Sequence, residues 1–100
     1  MKTEKITGLI AAPFTPMHPD GEVNAKVIEE YHGLLASNSV VGAFINGSTG
    51  EGVSTTTREK LMVAEAWAKA TSGGKIKVIN HLGGTCYKDC IELAKESKKM

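Results

Sequence analysis

The sequence predicts an α/β fold built on a parallel sheet, and three observations predict it. Short apolar runs alternate with longer segments of helical periodicity, in the order β-α-β-α-β-α over 100 residues. The middle run, Val40 to Ile45, is continuous rather than alternating, which suits a strand covered on both faces. No two-residue hairpin signal joins any pair of runs, so consecutive strands need right-handed helical crossovers. An open doubly wound sheet and a barrel both satisfy this pattern.

Each element has its own warrant. Gly8 to Phe14 is small and apolar, ends at proline, and reads as a buried first strand. Asp20-Gly21 makes the turn in the loop that follows. Asn24 is a good N-cap for the first helix, and Val23 just before it can staple onto Ile28. Val27, Ile28, Tyr31, Leu34 and Leu35 share one helical stripe, and the helix should stop near Ser37-Asn38, with Asn taking the left-handed cap. The second strand is Val40 to Ile45. Thr56 and Glu59 form a capping box for a helix over Lys60 to Ala70, with Leu61, Ala64, Trp67 and Ala68 on its buried side. Ser72-Gly73-Gly74 ends it. Lys75 to Asn80 is the third strand. The last helix runs from Tyr87 to about Lys99, anchored by Ile91 and Leu93-Ala94.

Chemistry concentrates at one end of this arrangement. The strands close in "APFTP", "NGSTGEG" and "NHLGGT", all rich in glycine, hydroxyl or polar side chains, while the opposite ends are plain. Ligands of parallel α/β proteins bind at the carboxyl ends of the strands. In the second loop, Gly47, Gly50 and Gly52 allow a tight turn and close approach to a ligand. Ser48 and Thr49 offer adjacent hydroxyl and N–H donors suited to a carboxylate or phosphate. The order G-x-x-G-x-G is neither a P-loop nor the dinucleotide fingerprint. Spacing alone leaves two readings open: an anion cradle, or a tight βα turn with capping hydroxyls. Glu51 is expected to accept hydrogen bonds from loop N–H groups rather than to catalyse.

Composition excludes several classes. Apolar residues make up 41% and charged residues 23%, with a net charge of +1, so the chain is ordinary globular material with no footprint for nucleic acid or an anionic membrane. The basic cluster Lys95, Lys98 and Lys99 complements the dipole at a helix end. No apolar run is long enough to span a bilayer. The short N-terminal apolar run, cut by Pro13 and Pro16, does not make a signal-peptide core, so a cytoplasmic location is expected. Cys86 and Cys90, four apart on a helix, suit neither a disulfide nor a metal site and are expected as reduced, partly buried thiols. His81 ends the third strand and should face the mouth, either orienting substrate or loop groups or serving as a structural hydrogen-bonding group, and His18 should be solvated. No metal or cofactor is expected.

The run "GSTGEG" after an apolar strand resembles the G-[ST]-T-G-E signature of the N-acetylneuraminate lyase / dihydrodipicolinate synthase family. "GLIAAPFTPMHPDGEVN" and "KVINHLGGTCYKDCIELAK" resemble the family's neighbouring segments in the right order, across roughly residues 6–97. "NGSTGEG" together with Trp67 in "VAEAW" looks more like the sialic acid lyase branch. The resemblance implies a TIM (β/α)8 barrel, of which residues 1–100 are one partial domain holding the first three βα units. It implies a class I aldolase, in which a lysine forms a Schiff base with a 2-oxo acid such as pyruvate or N-acetylneuraminate. It also implies a homotetramer for the full-length protein. Ser48 and Thr49 match the pair that binds the substrate carboxylate. Thr49 also matches the catalytic hydroxyl near a relay tyrosine, and Gly47 and Gly50 match the glycines that shape the pocket.

The lysine nucleophile and relay tyrosine of that family have no match here. Lys75 and Lys77 flank the wrong end of the third strand, and Lys88, Lys95, Lys98 and Lys99 lie on an exposed helix. Tyr31 belongs to a packed helix face and Tyr87 to a helix start. The isolated chain is therefore expected to be inactive. A synthase condensing pyruvate with aspartate semialdehyde, or another 2-oxo acid aldolase, is the near alternative. A non-catalytic anion-binding α/β module is the alternative from another class.

Overall fold

A computed structural model describes residues 3–100. The strands are β1 (Leu9–Ala11), β2 (Val40–Ile45) and β3 (Lys77–Asn80). The helices are α1 (Lys26–Ser37), α2 (Thr57–Thr71) and α3 (Tyr87–Lys98), with a 3-10 turn at Gly52–Ser54. The strands pair in parallel in the order β1-β2-β3. Ala43 sits opposite both Ala11 and Val78, and Ile45 opposite Asn80.

Strand alternation sorts the sheet into two faces. Ala43 and Ile45 are buried in a cluster with Val23 and Ile28 from the α1 side and Val63, Ala64 and Trp67 of α2. Val78 packs against the same cluster, and Asn80, on the same parity, donates from Nδ2 to Ser97 Oγ of α3 at 2.8 Å. All three helices therefore lie on one face. The other face carries Ile10, 44% exposed, against Gly42, with Phe44 and Ile79 half-buried beside it. Helices on a single face of a parallel sheet match a barrel segment and not a doubly wound sheet.

That arrangement corrects the reading of β1 as a buried strand. Only Leu9–Ala11 pairs with β2, with an irregular register between Leu9 and Ile10. Leu9 is 69% exposed on this edge strand and Phe14, beyond the strand's end, 53%, and no layer covers the inner face among the described residues. The same reason leaves β2 covered on its helix face only.

The helix signals hold with shifts at the ends. The Thr56/Glu59 capping box is present in both directions, at 3.1 Å and 2.9 Å. It starts α2 three residues before the expected Lys60. Val63 joins Ala64 and Trp67 in the core, while Leu61 and Ala68 are only half-buried. Val23 and Ile28 are both buried, as a staple requires, but Ala25 and not Asn24 holds the N-cap position, without a side-chain bond. Leu34 is exposed, off the packed side of the expected stripe. At the far end of α1, Ser39 takes the left-handed conformation (φ 63°) expected of Asn38. Asn38 instead donates from Nδ2 to Leu34 O at 2.8 Å, satisfying a terminal carbonyl directly. In α3 only Leu93 is buried, with Ile91 and Ala94 exposed.

Candidate functional site

The loop after β2 leaves the sheet at its carboxyl end, as the sequence indicates. Asn46 follows the strand with φ 60°, a conformation Asn tolerates better than most residues. Its side chain is buried, and Nδ2 donates to Asn80 Oδ1 at 2.9 Å and to Lys60 O at 3.2 Å. With Asn80 bonded onward to Ser97, a polar chain ties the end of β2 to α2, β3 and α3. From there the chain folds back on itself: Glu51 N donates to Ser48 O at 3.1 Å and Gly52 N to Gly47 O at 3.0 Å.

Two of the three glycines leave little room for a side chain, and at Gly52 the obstacle is backbone. A Cβ at Gly52 would stand 2.1 Å from Asn46 O, and one at Gly47 would stand 2.7 Å from the Phe44 ring. Gly50 is buried, and its carbonyl accepts from Thr15 Oγ1 at 2.6 Å. Ser48 and Thr49 form the exposed crest of this framework. A cleft of about 220 Å³ lies at the same end, lined by Thr57, Lys60, Gly83, Gly84, Asp89 and Cys90 among others, but Ser48 and Thr49 are not in its wall.

Glu51 departs from its expected role. It is exposed with φ 60°, and among the described residues its carboxylate receives no hydrogen bond. The Glu51 and Gly52 N–H groups go to main-chain carbonyls instead.

His81 is exposed at the end of β3; its N–H donates to Ile45 O at 3.0 Å and its ring lies 5.6 Å from that of Phe44. His18 is exposed. Cys90 is half-buried and Cys86 exposed, both free, so only Cys90 fits the description of a partly buried thiol. No group of three metal-binding side chains occurs among the described residues. No helix among them is long and apolar enough to cross a membrane. Lys77 is exposed and pairs with Glu4 at 3.3 Å, while Lys95 and Lys98 sit in the last turn of α3. Tyr31 is packed between Phe14 and Trp67, with ring centroids at 4.7 and 5.7 Å.

Thr15, Asn46 and Asn80 were not singled out from sequence. Their signals were present but generic: a threonine between two prolines, and an Asn directly after each of two strands.

The model of the dihydrodipicolinate synthetase family matches residues 5–100. The chain belongs to that family. Among curated members, the N-acetylneuraminate lyase of Danio rerio is 40% identical over 97 residues, covering 96% of this chain and 32% of that protein. The human N-acetylneuraminate lyase is 38% identical over 98 residues, with 97% and 31% covered. Among solved members, the Proteus mirabilis N-acetylneuraminate lyase superposes with a TM-score of 0.92 at 40% identity, covering 97% of this chain and 32% of that one. The dihydrodipicolinate synthase of Aquifex aeolicus gives 0.85 at 29% identity, with 94% and 31% covered. The chain thus spans about a third of the length of these family members and corresponds to their N-terminal βα units.

Proposed function

We propose that this chain is the carboxylate-gripping part of a class I aldolase that cleaves N-acetylneuraminate reversibly to N-acetylmannosamine and pyruvate. One observation carries the reading: Ser48 and Thr49 crown a rigidly anchored loop at the carboxyl end of a parallel barrel segment. Adjacent N–H and O–H donors there suit a carboxylate, with Gly47 and Gly50 giving the backbone room. Holding the carboxylate fixes the neighbouring carbonyl carbon for attack by an amine. The amine and carbonyl lose water to form an imine. The carbon–carbon bond then breaks, its electron pair passing into the imine, and Thr49 stands with the relay tyrosine that moves the proton.

In this reading residues 1–100 are one partial barrel domain, and both the lysine and the tyrosine belong to other strands of a complete barrel of roughly 250 residues. The complete protein is then a cytoplasmic homotetramer acting on a small 2-oxo acid. Condensation of pyruvate with aspartate semialdehyde is the second reading, favoured by the likeness to the Aquifex aeolicus synthase at lower identity. An anion-binding module without catalysis is the third, favoured by the absence of a buried lysine at the loop among the described residues.

Trapping with borohydride separates them. The 100-residue chain, mixed with pyruvate and reduced, should keep its mass. A hybrid barrel in which it replaces the matching third of the Proteus mirabilis relative should gain one reduced pyruvate and cleave N-acetylneuraminate. An adduct on the isolated chain contradicts the absence of the nucleophile. A hybrid that folds, forms the adduct and acts only on aspartate semialdehyde supports the second reading. A folded hybrid with no adduct at all supports the third.

A further inference from the structure

The crest formed by Ser48 and Thr49 hangs between two fixed points. On the β3 side it is held by the buried Asn46. On the β1 side it is held by a residue 35 positions away: Thr15, 5% exposed, donates its hydroxyl to Gly50 O at 2.6 Å, near the short end of the range for O–H···O bonds. Thr15 cannot easily drift. Pro13 and Pro16 on either side are buried and have fixed φ, and Asn24 N donates to Pro16 O at 2.8 Å. Gly50 is equally confined, since a Cβ there would lie 3.2 Å from Pro13 O and 3.1 Å from Asn46 N. The first βα segment is thus wedged under the second loop, immediately after Thr49.

We infer that Thr15 is a positioning residue for the carboxylate grip: its hydroxyl fixes the Gly50 carbonyl and so aims the Ser48 and Thr49 donors without touching substrate. The inference rests on the reading of those two residues as the grip. Binding groups must be held within about 0.5 Å of the productive geometry, and locked neighbours do this better than a free loop. Replacing Thr15 by Val keeps the shape and removes the donor, leaving Gly50 O buried and unpaired.

Two readouts test it. In the 100-residue chain, T15V should speed amide exchange at Glu51 and Gly52 by about tenfold, the worth of one lost buried hydrogen bond, while the β2 amides stay as before. T15S, which keeps the hydroxyl, should exchange like the parent. In the hybrid barrel, T15V should raise KM for N-acetylneuraminate by about tenfold, with T15S restoring it. Unchanged exchange at the loop, or uniform acceleration through the whole chain, overturns the inference. So does an unchanged KM in an active hybrid. A parent hybrid without turnover counts against the proposed function alone, and the exchange result then decides the role of Thr15.

Discussion

Trp67→Ala should lower the stability of the chain by about 3–5 kcal/mol, the range for deleting a buried large aromatic side chain. The ring is 1% exposed and sits in the cluster that joins α1, β2 and α2. It also ends an aromatic chain, Phe14–Tyr31–Trp67, that ties the segment after β1 to both helices. No neighbour of similar size is free to collapse into the void, since Ile28, Ile45 and Val63 are themselves fully buried. Small domains hold roughly 5–15 kcal/mol in total, so the loss removes a large share of it. Chemical denaturation checks this, and a midpoint that does not move places the ring outside the core. Trp67→Phe should retain most of the stability, because a ring still faces Tyr31.

Thr49→Ala should lower kcat/KM of the hybrid barrel by roughly two orders of magnitude, on the order of 3 kcal/mol, as for other donors aimed at developing charge. Its signature differs from that of Thr15→Val. Thr49 is exposed and carries no fold contact among the described hydrogen bonds, so the melting temperature should hold. The fall should appear largely in kcat, because in the proposed reading the lost hydroxyl serves the proton-transfer step as well as the carboxylate. Steady-state kinetics on N-acetylneuraminate decides it, and unchanged turnover removes Thr49 from the mechanism.

Local signals were the most legible part of the sequence. Val40–Ile45 is the observed strand to the residue, because its length and apolar run are set by burial against helices that the same chain supplies. The capping box was equally readable, since it depends on atoms a few residues apart, and α3 starts at Tyr87 as expected. Partner-dependent features were not. The extent of β1 is set by how far β2 pairs with it, and its exposure by its place at the edge of the sheet. Ser39 and not Asn38 takes the left-handed conformation, while the Asn38 side chain bonds a terminal carbonyl. At the site, the motif marked the crest, but its anchors are long-range: Thr15 to Gly50 spans 35 residues and Asn46 to Asn80 spans 34, distances over which no periodicity reports. Glu51 is no loop brace: its carboxylate receives no bond among the described residues, and the Glu51 and Gly52 N–H groups find main-chain acceptors.

The most direct measurement is a crystal structure of the hybrid barrel after pyruvate has been reduced onto its lysine. The account predicts one carboxylate oxygen about 2.7–3.1 Å from the Ser48 and Thr49 donors, with Thr15 still bonded to Gly50. A carboxylate held by other strands, with Ser48 and Thr49 facing bulk water, contradicts it.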